Sequence, residues 1–158
     1  MIDYGKIIGL LVSSGVEFII VGGAAATAHG SARLTEDLDI VYSRGDQNIK
    51  RLAEALSPLT PQLRGAPRDL PFHLDSESIK RGLNFTLSTS LGPIDLFGEI
   101  TGGNFEQLLP DCIELDVFGN KCLCLGLKRL IEVKRATARP KDLEAIAELQ
   151  VILEDQDH

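Results

Sequence analysis

The chain is short of cysteine, of basic residues and of long apolar runs, and each shortage closes off a class of protein. Its three cysteines, Cys112, Cys122 and Cys124, are odd in number and show no CxxC spacing, which argues against a disulfide framework or a zinc site. Cys122 and Cys124 stand two apart, so on a strand they point to one face. Free cysteines of that kind are small buried hydrophobes in a reducing compartment. Lys and Arg number 16 against 23 Asp and Glu, leaving a net charge of −7. Nucleic-acid binders carry a basic footprint to neutralise phosphates, so no standing nucleic-acid complex is expected. An acidic balance is compatible with a site that collects divalent cations. No stretch approaches ~18 uninterrupted apolar residues, so no membrane span is expected. The N-terminus lacks a basic segment followed by a continuous apolar one, so no secretory signal is expected, and the cytoplasm is the default location.

What is present is an ordinary globular balance, 44% apolar and 25% charged over 158 residues. That length supports one self-sufficient core, and residues 1–158 read as a single domain without repeats or linkers. Asp3 to Ser14 has helical apolar spacing and stops at Gly15. Glu17 to Val21 is a short apolar run suited to a strand covered on both faces. Gly22-Gly23 breaks it, and Ala24 to His29 reads as a helix closed by Gly30. Thr35 to Tyr42 (TEDLDIVY) alternates, with Leu38, Ile40 and Tyr42 on one face and Asp37 and Asp39 on the other, the period of a half-buried strand. Gln47 to Leu56 returns to helix. Pro58 to Gly82, rich in proline and glycine, reads as a long irregular loop. Leu83 to Thr89 and Ile94 to Ile100 form a hairpin across Gly92-Pro93, and a short helix runs to Leu109. Cys112 to Val117 and Lys121 to Leu125 form a second hairpin. Leu127 to Thr137 and Pro140 to Leu153 are amphipathic helices, with proline well placed at a helix start. The fold class is α/β of the α+β kind.

Strand residues rise ~3.3 Å each, so Asp37 and Asp39 project together with stems ~6.5 Å apart. Side chains so placed can converge on a magnesium ion bound at ~2.0–2.1 Å, or on two ions ~3.5–4 Å apart. Asp95, between Ile94 and Leu96, offers a third carboxylate if its strand pairs with the first. Alternating aspartates on a solvated edge strand are a bland alternative. Against it stands the Gly22-Gly23 turn, whose free N–H groups suit a phosphate. A phosphate cradle beside metal-binding carboxylates points to chemistry on a nucleoside triphosphate.

Val21-Gly22-Gly23, thirteen residues, then Asp37-Leu38-Asp39-Ile40 resembles the signature of the polymerase-β-like nucleotidyltransferase superfamily. Ile94-Asp95-Leu96 fits its third-carboxylate element. The stretch GGAAATAHGSARLTEDLDI looks like the group of abortive-infection toxins and minimal nucleotidyltransferases, and Lys134 to Asp142 is similar to a Lys…Arg-x-Lys-Asp element of that group. The resemblance implies the nucleotidyltransferase fold, a mixed central β-sheet flanked by helices with helices at the C-terminal end. It implies transfer of a nucleoside monophosphate from an NTP to an acceptor hydroxyl on protein, RNA or a small molecule. Asp37, Asp39 and Asp95 would be catalytic and hold Mg²⁺ or Mn²⁺; Gly22, Gly23, Arg33, Thr35 and Lys134 would bind the nucleotide. Many active members carry Ser where this chain has Gly23, which removes a hydroxyl ligand. That departure keeps open a non-catalytic nucleotide-binding protein or toxin–antitoxin component, with a helical protein partner or self-association compatible with either.

The supporting residues also have structural readings. Arg33 would contact phosphate or screen the carboxylates; Lys134 would reach the nucleotide or sit on a solvated helix face. Arg139 and Asp142 read as a helix-start pair, and His29 as a helix-end cation. Arg64, Arg68, His73, Lys80 and Arg81 give the irregular loop a basic bias; they would fold over a triphosphate or an acceptor, or, the reading preferred, stand as solvated loop charge.

Overall fold

A computed structural model describes residues 2–34, 37–67, 69–137 and 139–156. Among these the elements run α1 (Tyr4–Ser13), β1 (Phe18–Val21), α2 (Gly22–Ala28), β2 (Leu38–Tyr42), α3 (Asp46–Leu56), β3 (Gln62–Leu63), α4 (Ser76–Arg81), β4 (Asn84–Thr89) and β5 (Gly92–Phe97). They continue with β6 (Glu99–Ile100), β7 (Gly103–Asn104), α5 (Phe105–Leu108), β8 (Cys112–Val117), β9 (Asn120–Leu125), α6 (Leu127–Ala136) and α7 (Leu143–Gln156). The main sheet has the order β3-β4-β5-β2-β1-β9-β8, and β6 and β7 form a separate small ribbon. β1 pairs antiparallel with β2 and parallel with β9, while β2 and β5 are parallel. The sheet is therefore mixed, with helices packed on it.

Each central element follows from its side chains. All four residues of β1, Phe-Ile-Ile-Val, are buried, as an unbroken apolar run in a middle strand must be. In β2, Leu38 and Ile40 are fully buried while Asp39 between them is only half-buried, the alternation read from the sequence. α2 presents Ala24, Ala25 and Ala26 to the core. Side chains this small let a helix lie close to the strands beside it. α1 buries Ile7, Ile8 and Leu11, and Asp3 caps it by accepting from the Lys6 N–H at 3.0 Å. α6 contributes Leu127, Leu130 and Ile131, and α7 Ile146 and Leu149. Burying a side chain of this size contributes about 1.5–3 kcal/mol.

The region 58–82 differs from the expectation of a continuous loop. It holds a 3₁₀ turn (Ser57–Leu59), β3 and α4. α4 is only six residues long and has no readable periodicity. It forms because Asp75 and Ser78 cap it reciprocally and Ile79 is fully buried. β3 is two residues long, too short for any alternation to show. Elsewhere the expected strand Ile94 to Ile100 is split, β5 ending at Phe97 and Glu99–Ile100 pairing with β7 outside the main sheet; α2 takes in Gly22 and Gly23, and a 3₁₀ turn (Pro140–Asp142) precedes α7. Cys122 and Cys124 are buried and Cys112 is half-buried. Burial pushes all three thiols up, Cys124 to about 12, so they stay protonated and weakly nucleophilic.

One buried side chain ties the lower ends of three elements. Asn48, 5% exposed, accepts from the Glu17 N–H at 2.6 Å and donates to the carbonyls of Glu17 at 3.0 Å and Ser43 at 2.8 Å. Truncation strands buried backbone groups at the entry to β1 and the exit of β2. Asn48→Ala is expected to lower unfolding stability by roughly 1–3 kcal/mol in urea denaturation, the range for an unsatisfied buried polar group. An unchanged midpoint would refute this role.

Candidate active site

The site is a row of residues lying level across the sheet. Val21 of β1 pairs with Asp39 of β2, Asp39 with Asp95 of β5, and Asp95 with Thr86 of β4. The zero offset between β2 and β5 puts Asp39 and Asp95 side by side on one face, with Asp37 just before β2. The two strands do pair, which is the condition the sequence set for their carboxylates to share a face, but Asp37, expected on the first strand, falls just outside it.

The end of β1 is shaped around Asp39. Gly22 has φ +63, a left-handed conformation that side chains disfavour. A Cβ there would press on Asp39 Oδ2 and stand 3.2 Å from Asp39 Cγ. Only glycine lets the chain turn into α2 with the carboxylate against it. No side chain caps the start of α2, so the N–H groups of this diglycine turn are not used by a local cap.

The electrostatics are those of crowded anions. Burial first, then the charge of Asp95, a hydrogen bond shared with it, and the charge of Asp37 push the Asp39 carboxyl up to about 7, with Arg64 pulling the other way. Asp39 Oδ1 is buried without a hydrogen-bond partner. Among the described residues no three His, Cys, Asp or Glu side chains are close enough as they stand to hold a metal ion. A cation is nevertheless present. Arg64 Nη2 lies 3.0 Å from Asp95 Oδ1 and its Nη1 3.7 Å from Asp37 Oδ1. The sequence reading of Arg64 as solvated loop charge is therefore corrected. β3 carries the residue to the sheet edge, where its backbone N–H donates to the Thr86 carbonyl at 2.9 Å and Nη2 donates to the Leu87 carbonyl at 2.6 Å. The other basic residues of the region behave as surface charge: Lys80 pairs with Asp46 at 2.9 Å, and Arg81 with Glu77. Arg68 lies outside the described residues.

Two cavities flank Asp39. One of about 400 Å³ is lined by Gly23, Arg33, Asp37, Asp39, Lys134 and Arg139, with α7 behind it. The second, about 780 Å³, runs from Gly22 and Asp39 past Leu83, Asn84 and Phe97 to Val133 of α6. Lys134 and Arg139 line both. Lys134 is thus at the site, not on a solvated helix face. Arg33 lines the first cavity but does not screen the aspartates. It pairs with Glu144 at 3.4 Å and Glu148 at 3.7 Å, while the Ser31 hydroxyl donates to Glu148 at 2.6 Å. These contacts fasten the loop after α2 to α7. Thr35 lies outside the described residues. Arg139 and Asp142 form the expected helix-start pair, the Arg139 N–H donating to Asp142 Oδ2 at 3.0 Å. His29 is a fastener more than a helix-end cation: it is buried, and its Nε2 meets the Leu125 carbonyl at 2.9 Å, holding the end of α2 to β9.

The donor set fits a hard divalent cation. It consists of carboxylate oxygens, two of them (Asp39 Oδ1 and Asp95 Oδ1) buried without a hydrogen-bond partner, in a place where burial and mutual repulsion already raise a pKa. Asp39 and Asp95 would hold such an ion, with Asp37 adjacent.

No protein-family model matches the chain, and no curated protein matches it in sequence. Solved structures do resemble it. The lincosamide antibiotic adenylyltransferase LnuA, bound to lincomycin, superposes with a TM-score of 0.63 at 15% identity, over 96% of this chain and 98% of that one. The antibiotic-resistance factor ANT(2'')-Ia gives 0.57 at 16% identity, over 94% and 80%. TM1012 of Thermotoga maritima, assigned as a nucleotidyltransferase, gives 0.54 at 14% identity, over 95% and 89%. The chain has the nucleotidyltransferase fold. In that fold the row Val21–Asp39–Asp95–Thr86 is a feature of this chain's own register, and identity this low speaks to the fold alone.

The raised Asp39 carboxyl has a defined consequence for stability. Its folded value of about 7 exceeds the ordinary 3.8, so between these values the folded state binds the extra proton. Stability from this group is undiminished below the unfolded value, falls as pH rises through the window, and stays low above it. The shift corresponds to at most about 4 kcal/mol, and less for a half-buried, strongly coupled group. Asp39→Asn is expected to stabilise the metal-free protein at pH 8 by roughly 1–3 kcal/mol, with the gain vanishing toward pH 4. Urea denaturation of both proteins across that range checks it; a gain independent of pH would contradict the assignment.

Proposed function

We propose that this chain is a divalent-metal-dependent nucleotidyltransferase that moves a nucleoside monophosphate from an NTP to an acceptor hydroxyl. The observation that carries this reading is the level pairing of Asp39 with Asp95 on adjacent parallel strands, against a turn that only Gly22 can make. Magnesium held there would neutralise phosphate charge and organise an in-line displacement. The chain's own residues have separable tasks. Gly22 and Gly23 offer N–H groups to the β/γ-phosphates, and Lys134, Arg33 and Arg139 supply positive charge to the cavity that Gly23 lines. The acceptor oxygen forms a bond to the α-phosphorus, the bond from that phosphorus to the bridging oxygen breaks, and pyrophosphate leaves with that electron pair. Asp95 takes the proton of the attacking hydroxyl. Thr35, on the segment leading to Asp37, belongs to the same proposal as a residue positioning the loop.

LnuA and ANT(2'')-Ia act on antibiotics, the latter seen with adenylyl-2''-tobramycin. These neighbours favour a small hydroxyl-bearing molecule as acceptor over protein or RNA. The second cavity, lined by Leu83, Phe97 and Val133 together with the polar Asn84 and Thr101, has a size suited to a molecule of that class. A non-catalytic nucleotide binder is favoured by one feature, the absence of a hydroxyl at Gly23 and Ala24.

Calorimetric titration with Mg²⁺–ATP and transfer of label from α-³²P-ATP separate these readings. The wild-type chain is expected to bind and to label a small-molecule acceptor. Asp39→Asn is expected to lose binding. Asp95→Asn is expected to bind but to transfer at least about a hundredfold more slowly, the usual contribution of a general base. Binding without transfer to any acceptor supports the non-catalytic reading, and binding indifferent to Asp39→Asn removes the proposal.

A further inference from the structure

Resting on the metal-dependent reading above, we propose that Arg64 is a tethered counter-cation: its guanidinium occupies the acidic site in the resting chain and must leave before a divalent ion is bound, so this one side chain sets the site's cation affinity. Arg64 touches two of the three carboxylates at once, Asp95 at 3.0 Å and Asp37 at 3.7 Å. A guanidinium keeps its partners at N···O distances, whereas magnesium demands oxygens at ~2.0–2.1 Å. With Arg64 in place, no metal-holding group of three His, Cys, Asp or Glu is assembled among the described residues. The two states compete for Asp95, which is the arginine's nearer partner and would be a ligand of the ion.

The arrangement is held yet releasable. The sheet edge anchors the Arg64 backbone on Thr86, and the Leu87 carbonyl accepts from Nη2. The guanidinium is incompletely satisfied, its Nε being buried without a hydrogen-bond partner. Gly65 follows directly with φ +84 and open space where a Cβ would stand, so no neighbour packs against the chain at that point. Exposed ion pairs contribute little, and this one is partly exposed, with 30% of the Arg64 side chain and 42% of Asp37 accessible. A divalent ion with two charges displaces it readily; a monovalent ion does not.

The test is Mn²⁺ binding, read by the electron paramagnetic resonance of the free ion, at constant pH and ionic strength on the intact chain. Arg64→Gln is expected to bind Mn²⁺ roughly tenfold more tightly than wild type, the equivalent of one modest ion pair removed. Arg64→Lys should fall between them, because an ammonium is a point charge and does not bridge two carboxylates as a fork. Equal or weaker binding by Arg64→Gln overturns the proposal. Asp39→Asn is the separate control: if it binds Mn²⁺ like wild type, the metal-dependent reading itself fails. Should Arg64→Gln not fold, the unaltered protein still decides. Titration with Mg²⁺ is expected to shift the Arg64 Nε–H proton resonance and speed its exchange with water, and a resonance unmoved at saturating Mg²⁺ overturns the proposal.

Discussion

Like charges forced together by strand register are the constraint around which the rest of the molecule is arranged. Adjacent strands lie ~4.8 Å apart, so Asp39 and Asp95, paired without offset, cannot separate unless the sheet itself slips. Slippage is barred by Leu38, Ile40, Ile94 and Leu96, all fully buried on the other face of the same two strands. A one-residue shift would put these four into solvent and the aspartates into the core. The apolar face thus fixes the position of the acidic one. The strain is met in two ways: a proton is retained near neutrality on Asp39, and the Arg64 guanidinium is brought across β4.

This division explains what was legible in the sequence. Asp37, Asp39 and Asp95 could be found because the alternation that exposes them is local, as is the diglycine break at Gly22. The pairing of β2 with β5 was a condition the carboxylates imposed and the structure meets it; its parallel sense was not legible. Arg64 could not be found. Its partners lie 27 and 31 residues away in sequence, it is delivered by a strand too short to show a period, and its neighbours are prolines and glycines. The only available signal was the unanswered question of which cation relieved the carboxylates. Arg33 failed to resolve for a related reason: nearby in sequence are the aspartates, but its partners Glu144 and Glu148 come from the far end of the chain.

The C-terminal helices are more than a cover. Lys134 and Arg139 reach both cavities from α6 and the turn after it, while Ser31 and Arg33 bind the loop leading toward Asp37 to α7. The wall of the first cavity is therefore built from the two ends of the sequence, and its width depends on how α7 sits. Ionic contacts with half-exposed partners are individually weak. What keeps α7 in register is the burial of Ile146 and Leu149; the ion pairs choose the loop position.

Charge balance orders the events on the proposed reading. The chain is acidic overall, and even the cavity lined by Arg33, Lys134 and Arg139 includes Asp37, Asp39, Asp142 and Glu148. Arg33 is already paired with glutamates and Arg139 with Asp142. A bare triphosphate would meet carboxylates with little unpaired positive charge to oppose them. A bare divalent ion would meet a site still bridged by Arg64. A triphosphate arriving with its metal brings the positive charge that its environment lacks, and the two charges of the ion displace Arg64. On that reading the missing hydroxyl at Gly23 would be a smaller loss than it is in a motif taken alone: a backbone N–H would still be offered to the phosphate, and the ion would carry the larger part of the attraction.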